Sequence, residues 1–258
     1  MAFYWQTSSD AVSRAHARIG YEDVVRTATV TATSSAPDFA PSNVTSAATY
    51  DRWRPTAVPA DLGVEFDVPV IIDYVAIGAH NAGTAGATVE VYDSAVGLLA
   101  SVTPEDNSPI VVHFDTLTST NITIRILGSP VEIGVVYAGR LLAMMRPIYG
   151  GHTPGILSAD TVYQNNMSEA GQFLGRSIVR LGYQESFTWN NLDPAWYRDK
   201  FQPFVAAARA RPFFIAWRPG TFQDEVLFGW TSDDIAPVNT GVRGLMSVNL
   251  SINAVSGE

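Results

Sequence analysis

Four histidines, His16, His80, His113 and His152, are scattered along a chain of 258 residues, and none stands at metal-ligand spacing from another. There is no cysteine, so thiolate metal sites, cysteine nucleophiles and disulfide frameworks are excluded. The sequence carries no G-x-S-x-G elbow, no H-E-x-x-H helix, no phosphate-cradling glycine loop and no G-x-G-x-x-G turn. Paired acids such as Asp233-Asp234 fall in a turn-like segment, where a solvated turn is the ordinary reading and a catalytic pair the exceptional one. Asp51, Asp61 and Asp67 are available near expected loops for a structural calcium, but no ligand periodicity singles them out. No catalytic residue, metal site or cofactor is assigned.

Two loop segments carry side chains suited to holding a ligand. Trp53 and Arg54 lie in Thr49-Tyr-Asp-Arg-Trp-Arg-Pro55, where an indole and a guanidinium can stack on a sugar face or fill a protein pocket. The competing reading makes Trp53 a core residue that plugs one end of a β sandwich. His80 and Asn81 follow an apolar run and either present a polar contact or form a turn with Gly83.

The elements that would position these residues are mostly strands. Alternation of apolar and polar side chains marks strands at 27–33, 63–68, 70–78, 87–93, 109–114, 121–127, 131–138 and 140–145, divided by Gly, Pro, Asn and Ser. With no helical crossover between them, the sheet is expected to be antiparallel, a sandwich or jelly roll over residues 27–146. Residues 1–26 read as a polar lead-in with a short helix over Asp10 to Arg18, packing on the C-terminal domain.

Residues 147–258 differ. Strands are expected at 176–180 and 185–190, then one helix over about 194–211, capped by Asp193 with Pro194 in the first turn. Trp196, Phe201, Phe204, Val205 and Ala208 would form its apolar stripe, with Pro203 kinking or shortening it. Strands follow at 213–217, 225–230 and 244–255. In the last, Leu245, Ser247, Asn249, Ser251 and Asn253 share one face, polar beyond Leu245, opposite Met246, Val248, Leu250 and Ile252. The fold class is therefore mainly β: a jelly roll followed by a β-sandwich or split-barrel domain with one helix.

Composition narrows the function. Hydrophobic residues make up 47% of the chain and charged ones only 16%, so core is plentiful and the surface is short of charge. The formal net charge is −9, and fifteen arginines accompany a single lysine, Lys200. An acidic chain without a basic run is poorly suited to gripping nucleic acid, whose affinity comes largely from neutralising phosphates. The N-terminal residues lack the basic start and apolar run of a signal peptide, and no stretch approaches a membrane span.

Residues 27–146 resemble the discoidin, or coagulation factor five/eight type C, galactose-binding-like family. The residues that carry the likeness are Thr31-Ala-Thr-Ser-Ser35, Phe39-Ala-Pro-Ser-Asn-Val44, Tyr50-Asp-Arg-Trp53, Leu62-Gly-Val-Glu-Phe66, Val75-Ala-Ile77 and Val89-Glu-Val91. The chain departs from that family in lacking its flanking cysteines. The His80-Asn81 turn followed by Gly86-Ala-Thr-Val89 is similar to versions of the module in tailed-phage virion proteins. Gly175-Arg-Ser177, 187–192, Trp196 and Pro212-Phe-Phe-Ile-Ala-Trp217 resemble the ring-forming domain of siphophage distal tail proteins.

These resemblances imply a structural virion protein at a phage tail tip: a ring of six copies, touching tail-tube and tail-tip neighbours, with the jelly roll as a peripheral docking or adhesion module. Ser247, Asn249, Ser251 and Asn253 would then face a lumen through which DNA passes. The alternative is an adhesin in which Trp53, Arg54, His80 and Asn81 hold a host-surface glycan. A tail-associated polysaccharide hydrolase is a third reading, and the chain is expected not to be an enzyme.

Overall fold

The computed structural model describes residues 3–7, 12–154, 157–241 and 244–255. Two β modules, each with its own core, share a third core between them.

The first sheet contains β1 (Phe3–Gln6), β3 (Thr29–Ala32), β4 (Ala60–His80), β5 (Thr88–Asp93), β6 (Gly97–Val102), β7 (Ile110–Leu127) and β8 (Ile133–Gly139). The long strands β4 and β7 dominate it. Their pairing is interrupted between Glu65 and Val70 and again between Ile72 and Tyr74, where Asp67 to Pro69 and Ile71 are exposed. Bulges of this kind bend and twist a strand, so β4 and β7 turn a corner and serve both layers of a sandwich. On one side of the bend they pair with β3 and β5, with β6 beyond; on the other they pair with β8 and β1. Each was expected as two strands and is one. Among the described residues all pairings in this sheet are antiparallel except β1 with β7.

The second sheet runs β10-β11-β15-β13-β12-β2-β9, with β14 also paired to β15. Its members are β2 (Arg18–Gly20), β9 (Leu142–Ala143), β10 (Ala159–Met167), β11 (Phe173–Leu192), β12 (Phe213–Ala216), β13 (Val226–Thr231), β14 (Pro237–Thr240) and β15 (Leu245–Val255). A one-turn helix, α1 (Ala82–Ala85), belongs to the first module. Helix α2 (194–208) packs in the second. Asp193 caps it, its carboxylate accepting from the N–H groups of Ala195 and Trp196 at 2.9 Å each. A π turn, Tyr197–Phe201, precedes Pro203, and the helix ends at Ala208, short of the expected Arg211. Phe201, Phe204, Val205 and Ala208 are buried, while Trp196 is half-buried.

The lead-in divides between the modules. Strand β1 joins the first sheet, and β2 inserts between β12 and β9 in the second. The helix expected over Asp10 to Arg18 is not formed where it can be described: residues 12–17 are turns and bends, and Arg18 begins β2. Asp10 itself lies outside the described residues. Strand β9, expected within the jelly roll, belongs to the second sheet, because Arg18 and Ile19 supply its partners.

Alternation along β4, β7 and β8 explains how the modules join. Ile72, Val75, Ile77, Val112, Ile133 and Val136 point into the jelly-roll core. Their neighbours Tyr74, Ala76, Val111, Val135 and Tyr137 face outward and pack on Phe214, Ala216, Val226 and Phe228 of the second sheet. This layer is therefore buried on both faces, which is why its strands are apolar nearly throughout. The Tyr137 hydroxyl donates to the Pro212 carbonyl at 3.1 Å, and the Trp5 indole N–H donates to the Pro219 carbonyl at 3.1 Å. A Cβ at Gly78 would lie 3.2 Å from the Phe214 ring, so this close approach favours glycine.

Candidate functional site

Trp53 is fully buried. Its indole N–H reaches the Ser34 carbonyl and the Ser35 hydroxyl, both at 3.1 Å, and its backbone exchanges two hydrogen bonds with Ile133. The ring is a core pillar and offers no face to a ligand. The Arg54 guanidinium lies 3.9 Å from the centroid of the Phe39 ring and pairs with Glu132 at 3.2 Å.

His80 is also buried, and both ring nitrogens are engaged. Nδ1 accepts from the Ala82 N–H at 3.2 Å, which leaves Nε2 to donate to the Ser108 carbonyl at 2.8 Å. Burial pushes its pKa down to about 4, with Arg52 acting the same way and the Ser108 bond and Asp106 opposing. The Asn81 side-chain oxygen accepts from the Glu132 N–H at 2.7 Å. His80 and Asn81 therefore fasten loops together, and neither projects as a contact.

These four residues do converge on one end of the jelly roll, through a residue that sequence reasoning passed over. Glu132 takes Arg52 on one carboxylate oxygen at 3.1 Å and Arg54 on the other at 3.2 Å, while its backbone is held by Asn81. The same loop as Arg52 and Arg54 also carries Tyr50, 82% exposed. An exposed tyrosine on a loop that also carries two ion-paired arginines can stack on a ring and donate or accept a hydrogen bond. Tyr50 was in view as part of the loop, but of the loop's two large aromatics it is Trp53 that is buried and Tyr50 that is exposed.

Ser247, Asn249, Ser251 and Asn253 occupy the outer face of β15. Asn249 Oδ1 accepts from the hydroxyls of Ser186 at 2.8 Å and Thr188 at 3.1 Å, which extends the polar face across β11. The face is polar and uncharged along this stretch.

Beyond this face the β10–β11 hairpin is exposed on both sides. Tyr163, Met167, Phe173, Leu174, Ile178 and Val179 are 46 to 67% exposed. Phe173 and Leu174 are adjacent in the strand, as are Ile178 and Val179, so apolar groups stand on each face. Among the described residues β10 has no strand partner on its outer side. Such a hairpin has no core of its own and a bare edge.

Among the described residues no group of three or more His, Cys, Asp or Glu side chains is placed to hold a metal ion. One buried acid stands apart: Glu185, next to His152, has its pKa pushed up to about 8 by burial and by the neighbouring Glu225.

No family model matches the chain, and no curated protein matches it. It is similar to several solved structures. One is the family 32 carbohydrate-binding module of C. perfringens NanJ in complex with galactose, 20% identical over 45% of this chain and 97% of that one, TM-score 0.40. Another is a fucose-binding module of Streptococcus pneumoniae, 14% identical over 46% of this chain and 94% of that one, TM-score 0.37. A third is the lectin domain of lectinolysin complexed with Lewis B antigen, 13% identical over 46% and 96%, TM-score 0.39. Each of these three likenesses covers less than half of the chain and is one of fold.

Proposed function

We propose that the chain is a non-catalytic structural subunit that assembles with copies of itself through the β10–β11 arm, as a ring component of a phage tail tip with the jelly roll at its periphery. The observation that carries the assembly is the arm: a hairpin with apolar side chains on both faces and a bare strand edge is stable once a neighbour covers it. The core shared by the two modules supports the same reading, since a rigid body transmits load where a flexible linker would not. The virion tail tip, six copies, and contacts to tail-tube and tail-tip neighbours come from the sequence resemblance. The uncharged polar face of β15 and β11 suits a lumen that DNA crosses without adhering. Measuring the mass of the purified protein by light scattering tests this: a ring mass supports it, and a strict monomer at high concentration overturns it.

A second reading, a module that holds host-surface glycans, is favoured by Tyr50 and the Arg52–Glu132–Arg54 frame. Here the contact is Tyr50 with Arg52 and Arg54, while Trp53, His80 and Asn81 maintain the loops. Glycan-array binding lost in Tyr50→Ala supports it; absence of binding by the wild-type protein removes it. The two readings are compatible, since one module builds and the other holds.

A further inference from the structure

The β10–β11 arm stands clear of the sheet that roots it. β11 pairs with β15 only from Gly182 onward, so residues 173–181 lie against β10 alone. That stretch of strand reaches about 30 Å. At its tip Met167 and Phe173 are register partners and so share one face, where they are 64% and 67% exposed. Glu169, in the turn between them, is exposed and has no ion-pair partner among the described residues.

The far edge of the same sheet holds a cavity of about 350 Å³ between α2 and β14. Val205, Ile235, Pro237 and Met246 give it apolar walls, and Arg198 and Arg209 line it too. Neither guanidinium is firmly held by a carboxylate of its own chain. Arg198 donates to the Pro194 carbonyl at 2.8 Å, and Arg209 meets Asp234 at 3.3 Å with both side chains largely exposed. An exposed pair of that kind contributes little and exchanges readily. On a chain of net charge −9, an apolar recess flanked by two arginines is a specific place for a carboxylate to approach.

A chain's own arm points away from this recess. The arm leaves past the Gly182–Val255 rung, whereas the cavity lies beside Met246 at the other end of β15. Met246 and Val248 pair with β11 and with β14 at once, so these two strands hold opposite edges of β15. A second copy can bring its arm where the first cannot. Contact between two different patches of identical chains repeats head to tail and closes into a ring where the rotation allows.

We propose that the arm tip of one copy seats in the α2–β14 cavity of the next, with Phe173 and Met167 against the apolar walls and Glu169 between Arg198 and Arg209. This docking rests on assembly through the arm and supplies the surface that receives it. An aromatic anchor in a pocket with charge at the rim lets few residues carry most of the affinity.

Sedimentation equilibrium of the full-length protein tests it by charge reversal. Arg198→Glu with Arg209→Glu weakens association at least about tenfold, and so does Glu169→Arg, because like charges then face each other. The three reversals combined restore association to within about threefold of wild type, which a folding defect would not do. Each variant melts within a few degrees of wild type, since all three positions are exposed. Should Arg209→Glu, beside the helix end, prevent folding, Glu169→Arg with Arg198→Glu makes the same cycle. Reversals without effect, or a combined variant as weak as its parents, overturn the docking. If Phe173→Ser with Leu174→Ser abolishes the ring and the reversals do not, the arm still assembles the protein and this cavity is not its receptor. A wild-type monomer removes both.

Discussion

Trp53 and Ile133 exchange a pair of backbone hydrogen bonds, Trp53 N–H to the Ile133 carbonyl at 2.8 Å and the reverse at 2.9 Å. This isolated bridge joins the 49–55 loop to the start of β8, the strand that the two modules share. A loop residue thereby becomes part of the layer on which the second module rests. Replacing Trp53 by Ala removes the largest fully buried side chain in the jelly-roll core. Trp53→Ala is expected to destabilise the protein by about 3–5 kcal/mol. Urea unfolding measures it, and a loss below about 1 kcal/mol would contradict the buried placement.

The arm yields a test of mass and of solubility together. Phe173→Ser with Leu174→Ser clears one large apolar group from each face near the hairpin tip without touching any of the three cores. Thermal stability of the isolated subunit should change by less than about 1 kcal/mol, because exposed positions contribute little to folding. Mass by light scattering should fall from a ring to a monomer. An unchanged oligomer would mean that the copies meet elsewhere.

How legible this architecture was in the sequence depended on whether a segment has a buried face. Helix α2 was readable because Asp193-Pro194 is a local signal and its stripe faces one core. β15 was readable because one face is wet and the other dry. β10 was missed: Ala159-Asp-Thr-Val-Tyr-Gln-Asn-Asn-Met has no dry face, so nothing imposes period two on it. β4 was read as two strands because Pro69 and its neighbours sit at the bend, where the chain changes layer without ending the strand. β2 was not read as a strand and β9 was assigned to the jelly roll, because strand partners far apart in sequence leave no local trace. The same limit applied to the site. Arg54, His80 and Asn81 were visible, but Glu132, which joins Arg54 to Asn81, lies some fifty residues from Asn81.

His80 gives a pH dependence with a defined sign. Its folded pKa, about 4, lies below the ordinary 6.5, so between these values the unfolded chain binds the extra proton and the folded one resists it. The stability that the neutral ring contributes is fully present above pH 6.5 and declines as pH falls toward 4, by on the order of 3 kcal/mol in all. Asp23, pushed up to about 6 by burial, titrates with the opposite sign, so only a difference between proteins is diagnostic. The stability gap between wild type and His80→Gln should shrink as pH drops through this window. A gap that does not vary with pH would place His80 outside the buried turn.

The shared core can be challenged without disturbing either module's own packing. Phe214 is fully buried between the sheets; its ring meets Tyr137 at 5.4 Å and Phe228 at 4.7 Å between centroids. Phe214→Ala removes that bridge, and the loss should be about 3–5 kcal/mol if the modules fold as one unit. Two independent modules would instead unfold in separate steps, the jelly roll keeping its midpoint while the second module melts early. Differential scanning calorimetry separates these cases. A single transition shifted to lower temperature is expected, since β8 and the second half of β4 are dry on both faces only while Phe214, Ala216, Val226 and Phe228 cover them. Exposing that face would leave an apolar sheet surface in water, which argues that the jelly roll does not outlive its neighbour.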